Sequence, residues 1–170
     1  MGEMFDIQND IRVAGVSDFQ EMFRICCLLH SENGQHPFSE WKARHFLWRG
    51  CNRDNSIVGV IGPSDDIKAI IYLEIQPVYY SDEPQLAEAF AFVRADSRKS
   101  DYAKRLIRFA KKCSEETGLD LLIGIISDER LAAKARLYDR ELPKGGTFYN
   151  YRPSGKTMHD PKFGLNRDET

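Results

Sequence analysis

Phe92-Val93-Arg94-Ala95-Asp96-Ser97-Arg98-Lys99-Ser100-Asp101-Tyr102-Ala103-Lys104-Arg105-Leu106-Ile107 is the stretch that decides the fold. An apolar strand ends at Val93, a polar turn follows, and the turn opens directly into an amphipathic helix. Ala103, Leu106, Ile107, Ala110 and Cys113 recur at helical spacing, and Gly118 closes the helix. Upstream, Leu86–Val93 reads as a strand with Ala87, Ala89 and Ala91 on one face. Leu86, Glu88, Phe90 and Phe92 take the other. Downstream, Leu119–Ile126 is apolar almost without alternation, the pattern of a strand buried on both faces. Strand, helix and strand in that order predict a parallel pair joined by a crossover. The first amide hydrogens of such a helix lack internal acceptors and carry the positive end of its dipole. With Arg98 and Lys99 beside them, they form a candidate pyrophosphate cradle. The alternative is a solvated basic face running from Arg94 to Lys112.

Working outward, Ser56–Ile61 and the alternating Ile67–Ile75 read as a hairpin joined by Gly62–Asp66. Before it, Phe38, Trp41, His45 and Trp48 share one face of a helix that stops at Gly50. An earlier helix starts at Ser17 with the capping box Ser17-x-x-Gln20 and runs through Phe19, Met22, Phe23, Cys26 and His30. Asn33–Gly34 is expected to end it in the left-handed conformation. Ile11–Val13 is a short strand. Toward the C-terminus, Asp128 caps a helix carrying Leu131, Ala135, Tyr138 and Leu142, and Thr147–Tyr151 is a last strand. The polar segment from Ser154 onward reads as a mobile tail. The expectation is one α/β domain over 1–153, with helices on both faces of a mixed sheet, and a tail over 154–170.

The chain has 170 residues, 42% of them apolar, which suits one core at roughly 100–200 residues per domain. Its 24 basic and 26 acidic residues nearly balance, so a life on duplex nucleic acid is disfavoured. No apolar run approaches the ~18 residues of a membrane span. Met1–Asp10 lacks the basic start and apolar core of a signal peptide, so a soluble, cytoplasmic protein is expected. Cys26, Cys27, Cys51 and Cys113 include no C-x-x-C pair and read as reduced, small hydrophobes. The histidines show no ligand spacing, so no metal is expected. Ser154-Gly155-Lys156-Thr157 imitates a phosphate loop, but Asn150 stands where its first glycine belongs and no helix follows.

The strand, turn and helix around Arg98-Lys99-Ser100-Asp101-Tyr102-Ala103 resemble the coenzyme signature Q/R-x-x-G-x-G/A of the GNAT superfamily of N-acetyltransferases. Arg98 and Ala103 match it, and Asp101 stands where the first glycine belongs. The order of elements is similar to that superfamily from Ile11 to Tyr151, as are Arg12 before Asp18 and the later Leu137-Tyr138. The resemblance implies a mixed, mainly antiparallel sheet splayed between the strands at 86–93 and 119–126. Acetyl-coenzyme A would lie in that opening as co-substrate. Its pantetheine would bond the backbone of Phe92, Val93 and Arg94, and its pyrophosphate would meet Arg98, Lys99, Ser100, Asp101, Tyr102, Ala103 and Lys104.

The same resemblance implies Tyr138 as proton donor to the departing thiolate, a role its ordinary pKa near ~10 permits. Leu131 occupies the position where the family often has asparagine. Glu88, ionisable within an apolar strand, is the candidate general base, although a family glutamate would fall one residue away. Glu74, Glu32 or a chain of waters are the alternatives. His30, Glu32, Asn33 and His36 would contact the acceptor, a small-molecule or protein amine, and a homodimer is admitted. Two other readings stay open: a catalytically silent GNAT-fold module, and a nucleic-acid-associated protein using the basic Arg94–Lys112 run.

Overall fold

A computed structural model describes residues 11–125 and 131–146. In chain order these form β1 (Ile11–Val13), a 3-10 turn (Val16–Asp18), α1 (Phe19–Asn33), α2 (Glu40–Cys51), β2 (Ser56–Ile61) and β3 (Ala69–Val78). β4 (Ser81–Val93), α3 (Tyr102–Thr117), β5 (Leu121–Leu122) and α4 (Leu131–Glu141) follow. The strands make one sheet in the order β1-β2-β3-β4-β5, antiparallel up to β4 and parallel between β4 and β5. This is the mixed, mainly antiparallel α/β architecture expected. No described helix is long and apolar enough to cross a membrane.

Alternation along β2 and β3 sends side chains to two cores. Val58, Val60, Ile70 and Tyr72 meet Met22 and Ile25 of α1 and Leu47 and Cys51 of α2. On the opposite face, Ile61, Ala69, Ile71, Leu73 and Leu86 meet Leu106, Phe109, Ala110 and Cys113 of α3. The α3 stripe is the one its spacing predicts, and Gly118 ends the helix at φ +70°. Burial pushes the Cys26 and Cys51 thiols up to about 11 and Cys113 to about 12, so all three stay protonated at neutral pH.

Several local expectations are corrected. The entry to α1 is organised by Asp18, not by Ser17 and Gln20. The fully buried Asp18 carboxylate accepts from the Gly15 amide at 2.8 Å and from both arms of Arg12 at 2.8 and 2.6 Å. Burial alone would raise this carboxyl, but the Arg12 guanidinium and Gly15 amide outweigh it and hold it below its usual range. Arg12 also donates to the Gly62 carbonyl at 3.0 Å, tying β1 to the β2–β3 turn. Ser17 instead meets Ser64, at 3.3 Å between hydroxyls.

At the far end of α1, Gly34 is extended (φ −61°, ψ 126°) rather than left-handed. Glycine serves there by close approach, since a Cβ would lie 2.4 Å from the His30 carbonyl oxygen. The aromatic face of α2 points outward, with Trp41 at 73% and Trp48 at 48% exposure. The helix meets the sheet through Leu47, Gly50 and Cys51 because Tyr72 stands too close for a larger residue; a Cβ on Gly50 would come within 2.5 Å of that ring.

The β3–β4 hairpin extends past Pro77 and Pro84 to an exposed Tyr79–Tyr80 tip, with a register irregularity between Gln76 and Val78 that accommodates Pro77. The expected strand Leu119–Ile126, buried on both faces, is corrected: among its described residues, 119–125, only Leu121–Leu122 pair, and Leu122 is exposed. Asp128, Thr147–Tyr151 and the segment 154–170 lie outside the described residues.

Candidate active site

Where β4 and β5 part, the molecule opens. Leu86 pairs with Leu121 and Ala87 with Leu122, and the Leu86 amide donates to the Asp120 carbonyl at 2.8 Å. Among the described residues no ladder pair joins the two strands after that. A cavity of about 440 Å³ fills the gap, walled by Glu88–Val93 of β4, Gly124–Ile125, the start of α3 and one face of α4. That volume lies in the range of small-molecule sites.

The strand that walls this cavity is not regular. Tyr72 pairs with Phe90, yet its neighbour Leu73 pairs with Glu88, so Ala89 is an extra residue, a β-bulge. Phe90 and Phe92 therefore pack toward α1 and α2, whereas Leu86 and Glu88 share the face of Leu73 and α3. The single large face expected from alternation is corrected accordingly.

Glu88 sits on the cavity wall with Oε2 buried and without a hydrogen-bond partner. Burial pushes its carboxyl up to about 7, against smaller opposing effects of Lys134 and the Gly124 amide. Tyr138, on α4, lines the same cavity. Burial first, and the nearby Glu88 charge second, raise its phenol well above the usual value, so it holds its proton at neutral pH. A carboxylate poised near neutrality and a firmly protonated phenol thus share one cavity, the separation of acid and base that proton transfer requires.

The turn before α3 is pinned by Arg94, whose guanidinium meets Asp66 and Asp96, each at 2.8 Å, while its amide donates to the Lys68 carbonyl at 2.9 Å. Arg94 does not line the cavity; Val93, Phe92, Arg98, Ser100 and Ala103 do. Ser100 donates its hydroxyl to the Ser97 carbonyl at 2.5 Å and accepts from the Tyr102 amide at 3.3 Å. Asp101 turns its carboxylate along the helix to Arg105 at 2.9 Å and is not on the cavity wall. The helix N-terminus is consequently not capped by that carboxylate. Lys99, Tyr102 and Lys104 also lie off the wall; Lys104 reaches toward Glu141 at 3.8 Å.

Of the residues expected around the acceptor, Glu32 and Asn33 line the cavity. His30 and His36 do not: the His30 ring bonds the His36 carbonyl at 2.8 Å through Nε2 and packs on Phe38 at 5.0 Å. The basic run from Arg94 is largely neutralised, since Arg94, Arg98, Lys104, Arg105, Arg108 and Lys112 each have a carboxylate partner. Sequence reading missed Lys134 and Arg140 on the wall. Spacing carried the signal for Lys134, which lies one helical turn before Tyr138. Among the described residues no group of three or more His, Cys, Asp or Glu side chains gathers where it could hold a metal.

No protein-family model matches the chain, and no curated protein matches its sequence. Solved structures do match in fold. A predicted acetyltransferase with acetyl-CoA from Clostridium acetobutylicum is 11% identical with a TM-score of 0.65, covering 84% of this chain and 94% of its own. An aminoglycoside acetyltransferase from an uncultured soil metagenomic sample is 18% identical with a TM-score of 0.63, covering 87% and 99%. A ribosomal-protein-alanine N-acetyltransferase from Brucella melitensis biovar Abortus 2308 is 14% identical with a TM-score of 0.63, covering 84% and 96%.

Proposed function

From the GNAT acetyltransferase fold that this chain carries, we propose that it moves an acetyl group from acetyl-coenzyme A to a primary amine by direct attack in a ternary complex. The observation that carries the proposal is the meeting of Glu88 and Tyr138, from β4 and α4, on one cavity wall. The chain's own geometry fits the co-substrate. The splay leaves a narrow cavity beside β4, and the Asp101 carboxylate is turned away from the helix N-terminus. Amides at the start of α3, with Ser100 and Arg98, would hold the pyrophosphate, and the β4 backbone at Phe92 and Val93 would hold the pantetheine. Acetyl-coenzyme A supplies the activated thioester.

An acceptor amine with pKa near ~10 arrives protonated and cannot attack until it loses a proton. Glu88, poised near neutrality and unpaired at Oε2, accepts that proton. The amine nitrogen then bonds the thioester carbonyl carbon while main-chain amides near Val93 receive the oxyanion. As the carbon–sulfur bond breaks, Tyr138 gives its phenolic proton to the departing thiolate and recovers one, directly or through water, from the newly acylated nitrogen, which loses that proton to become the neutral amide. Glu32 and Asn33 form the acceptor wall. The acceptor is a small-molecule or protein amine.

Calorimetric titration with acetyl-coenzyme A, followed by a thiol-release assay over a panel of amines, tests this. Binding with amine-dependent release supports transfer. Binding with no release from any amine would identify a silent module, the reading that Asp101 in place of a glycine favours. No binding at millimolar coenzyme removes the enzyme reading.

A further inference from the structure

Arg98 is held across the cavity mouth by two contacts. Its Nε–H donates to the Val93 carbonyl at 3.1 Å, and its Nη2 meets the Glu32 carboxylate, 66 residues away in sequence at the end of α1. The guanidinium also lies 5.6 Å from the centroid of the Phe92 ring. Arg98 and Glu32 both line the cavity, and both side chains are mostly shielded, at 26% and 29% exposure. Among the described residues Glu32 has no other ion-pair partner. One cation is therefore in reach of two anionic claims: a carboxylate from the acceptor wall and any phosphate seated on the start of α3.

We propose that Glu32 and the coenzyme pyrophosphate compete for Arg98, so that coenzyme binding frees Glu32 to receive the cationic acceptor amine. This inference rests on the acetyl-coenzyme A reading above. A guanidinium fork binds a phosphate at least as well as a carboxylate, and the doubly charged pyrophosphate is the stronger competitor. Once phosphate occupies the fork, the like charge beside it pushes Glu32 away. Glu32 then stands next to Asn33 with its charge uncompensated, and an ammonium is the partner it attracts. Before the coenzyme arrives, Arg98 neutralises that carboxylate and the acceptor wall attracts cations weakly. The ion pair is a latch that orders binding, coenzyme first.

The test is calorimetric binding of acetyl-coenzyme A to four proteins: wild type, Glu32→Gln, Arg98→Ala and the double variant. Circular dichroism on each checks that all four fold. Breaking the latch in Glu32→Gln is expected to tighten coenzyme binding about two- to fivefold, the range of a partly exposed ion pair. A merely structural pair would weaken binding or leave it unchanged when broken. Removing any carboxylate near an anionic ligand also tightens binding, so the cycle is decisive. With Arg98→Ala as background, Glu32→Gln should keep only the smaller gain of removing a nearby charge, so the gain in the wild-type background should be the larger. An equal gain in both backgrounds, or no gain in the first, overturns the latch while leaving coenzyme binding intact. Absence of binding in all four overturns the latch together with the function it rests on, whereas binding by Glu32→Gln alone supports a latch strong enough to shut the site.

Discussion

The two ends of the sheet are built differently. In β2 five of six residues are buried, and in β3 every residue from Ala69 to Leu73 is buried. β5 pairs at two positions and buries neither, and α4 has no fully buried residue. The first region contains the tightly packed, mutually covering layers that stabilise a fold. The second surrounds a cavity with partly shielded, ionisable side chains. A buried carboxyl oxygen without a partner, as at Glu88, costs stability, and a scaffold anchored elsewhere tolerates it.

Substitutions can break or sharpen this contrast. The largest expected effect on stability is at Tyr72, which stacks on Phe46 with 4.2 Å between centroids and donates to the Phe46 carbonyl at 2.8 Å. Tyr72→Ala should lower the unfolding free energy by about 3–5 kcal/mol in denaturant titration. A comparable loss from Leu122→Ala, on the open side, would erase the distinction; its expected loss is under ~1 kcal/mol. Tyr138→Phe should do the reverse, leaving stability within ~1 kcal/mol while kcat in the thiol-release assay falls about 10²–10⁴-fold.

Glu88→Gln joins the two quantities. Folding raises this carboxyl from 4.5 to about 7. Between those values the folded chain binds more protons than the unfolded one, so stability falls as pH rises through that window. Glu88→Gln should therefore match wild type near pH 4 and exceed it by roughly 1–3 kcal/mol at pH 8, measured by thermal melts across pH. Wild-type turnover should rise over the same interval as Glu88 becomes a base. Equal stability differences at both pH values would mean the carboxyl is not shifted. The smallest effect is at Asp101: because its carboxylate faces Arg105, Asp101→Asn should alter the coenzyme dissociation constant by less than about threefold. A tenfold gain would place that charge beside the phosphates instead.

Much of the fold was legible where a single periodicity ruled. The α3 stripe, its end at Gly118, the β2–β3 hairpin and the parallel β4–β5 pair all follow from spacing. Reading failed where two patterns overlapped. Helix α2 has aromatic residues at helical spacing and also a small-residue face, and the distance to Tyr72 selects the second. At α1, Ser17 and Asp18 both suit a cap, and pairing with the half-exposed Arg12 guanidinium is what draws the Asp18 carboxylate into the fold. The site was legible in part. Arg98, Ser100, Ala103, Glu88 and Tyr138 were named from sequence and line one cavity. His30 and the Arg94 backbone were named too, but the His30 ring bonds the His36 carbonyl and the Arg94 amide bonds the Lys68 carbonyl. Such competition depends on three-dimensional neighbours that sequence spacing does not encode.

The extra residue at Ala89 changes the parity of β4 halfway along its length. On one side of it, even-numbered positions feed the α1–α2 core through Phe90 and Phe92; on the other, even-numbered Leu86 and Glu88 belong to the opposite side of the sheet. A chain shortened by deleting Ala89 would make Glu88 and Phe90 neighbours in a regular ladder, still opposite Leu73 and Tyr72, and would leave both destinations unchanged. Ironing the bulge flat with Ala89 retained is what would exchange them: either Glu88 would enter an oily core, or Phe90 and Phe92 would leave it. The strand is thus a single ribbon carrying two reading frames, and the frame shift is what sets Glu88 and Phe90 on opposite sides of one sheet.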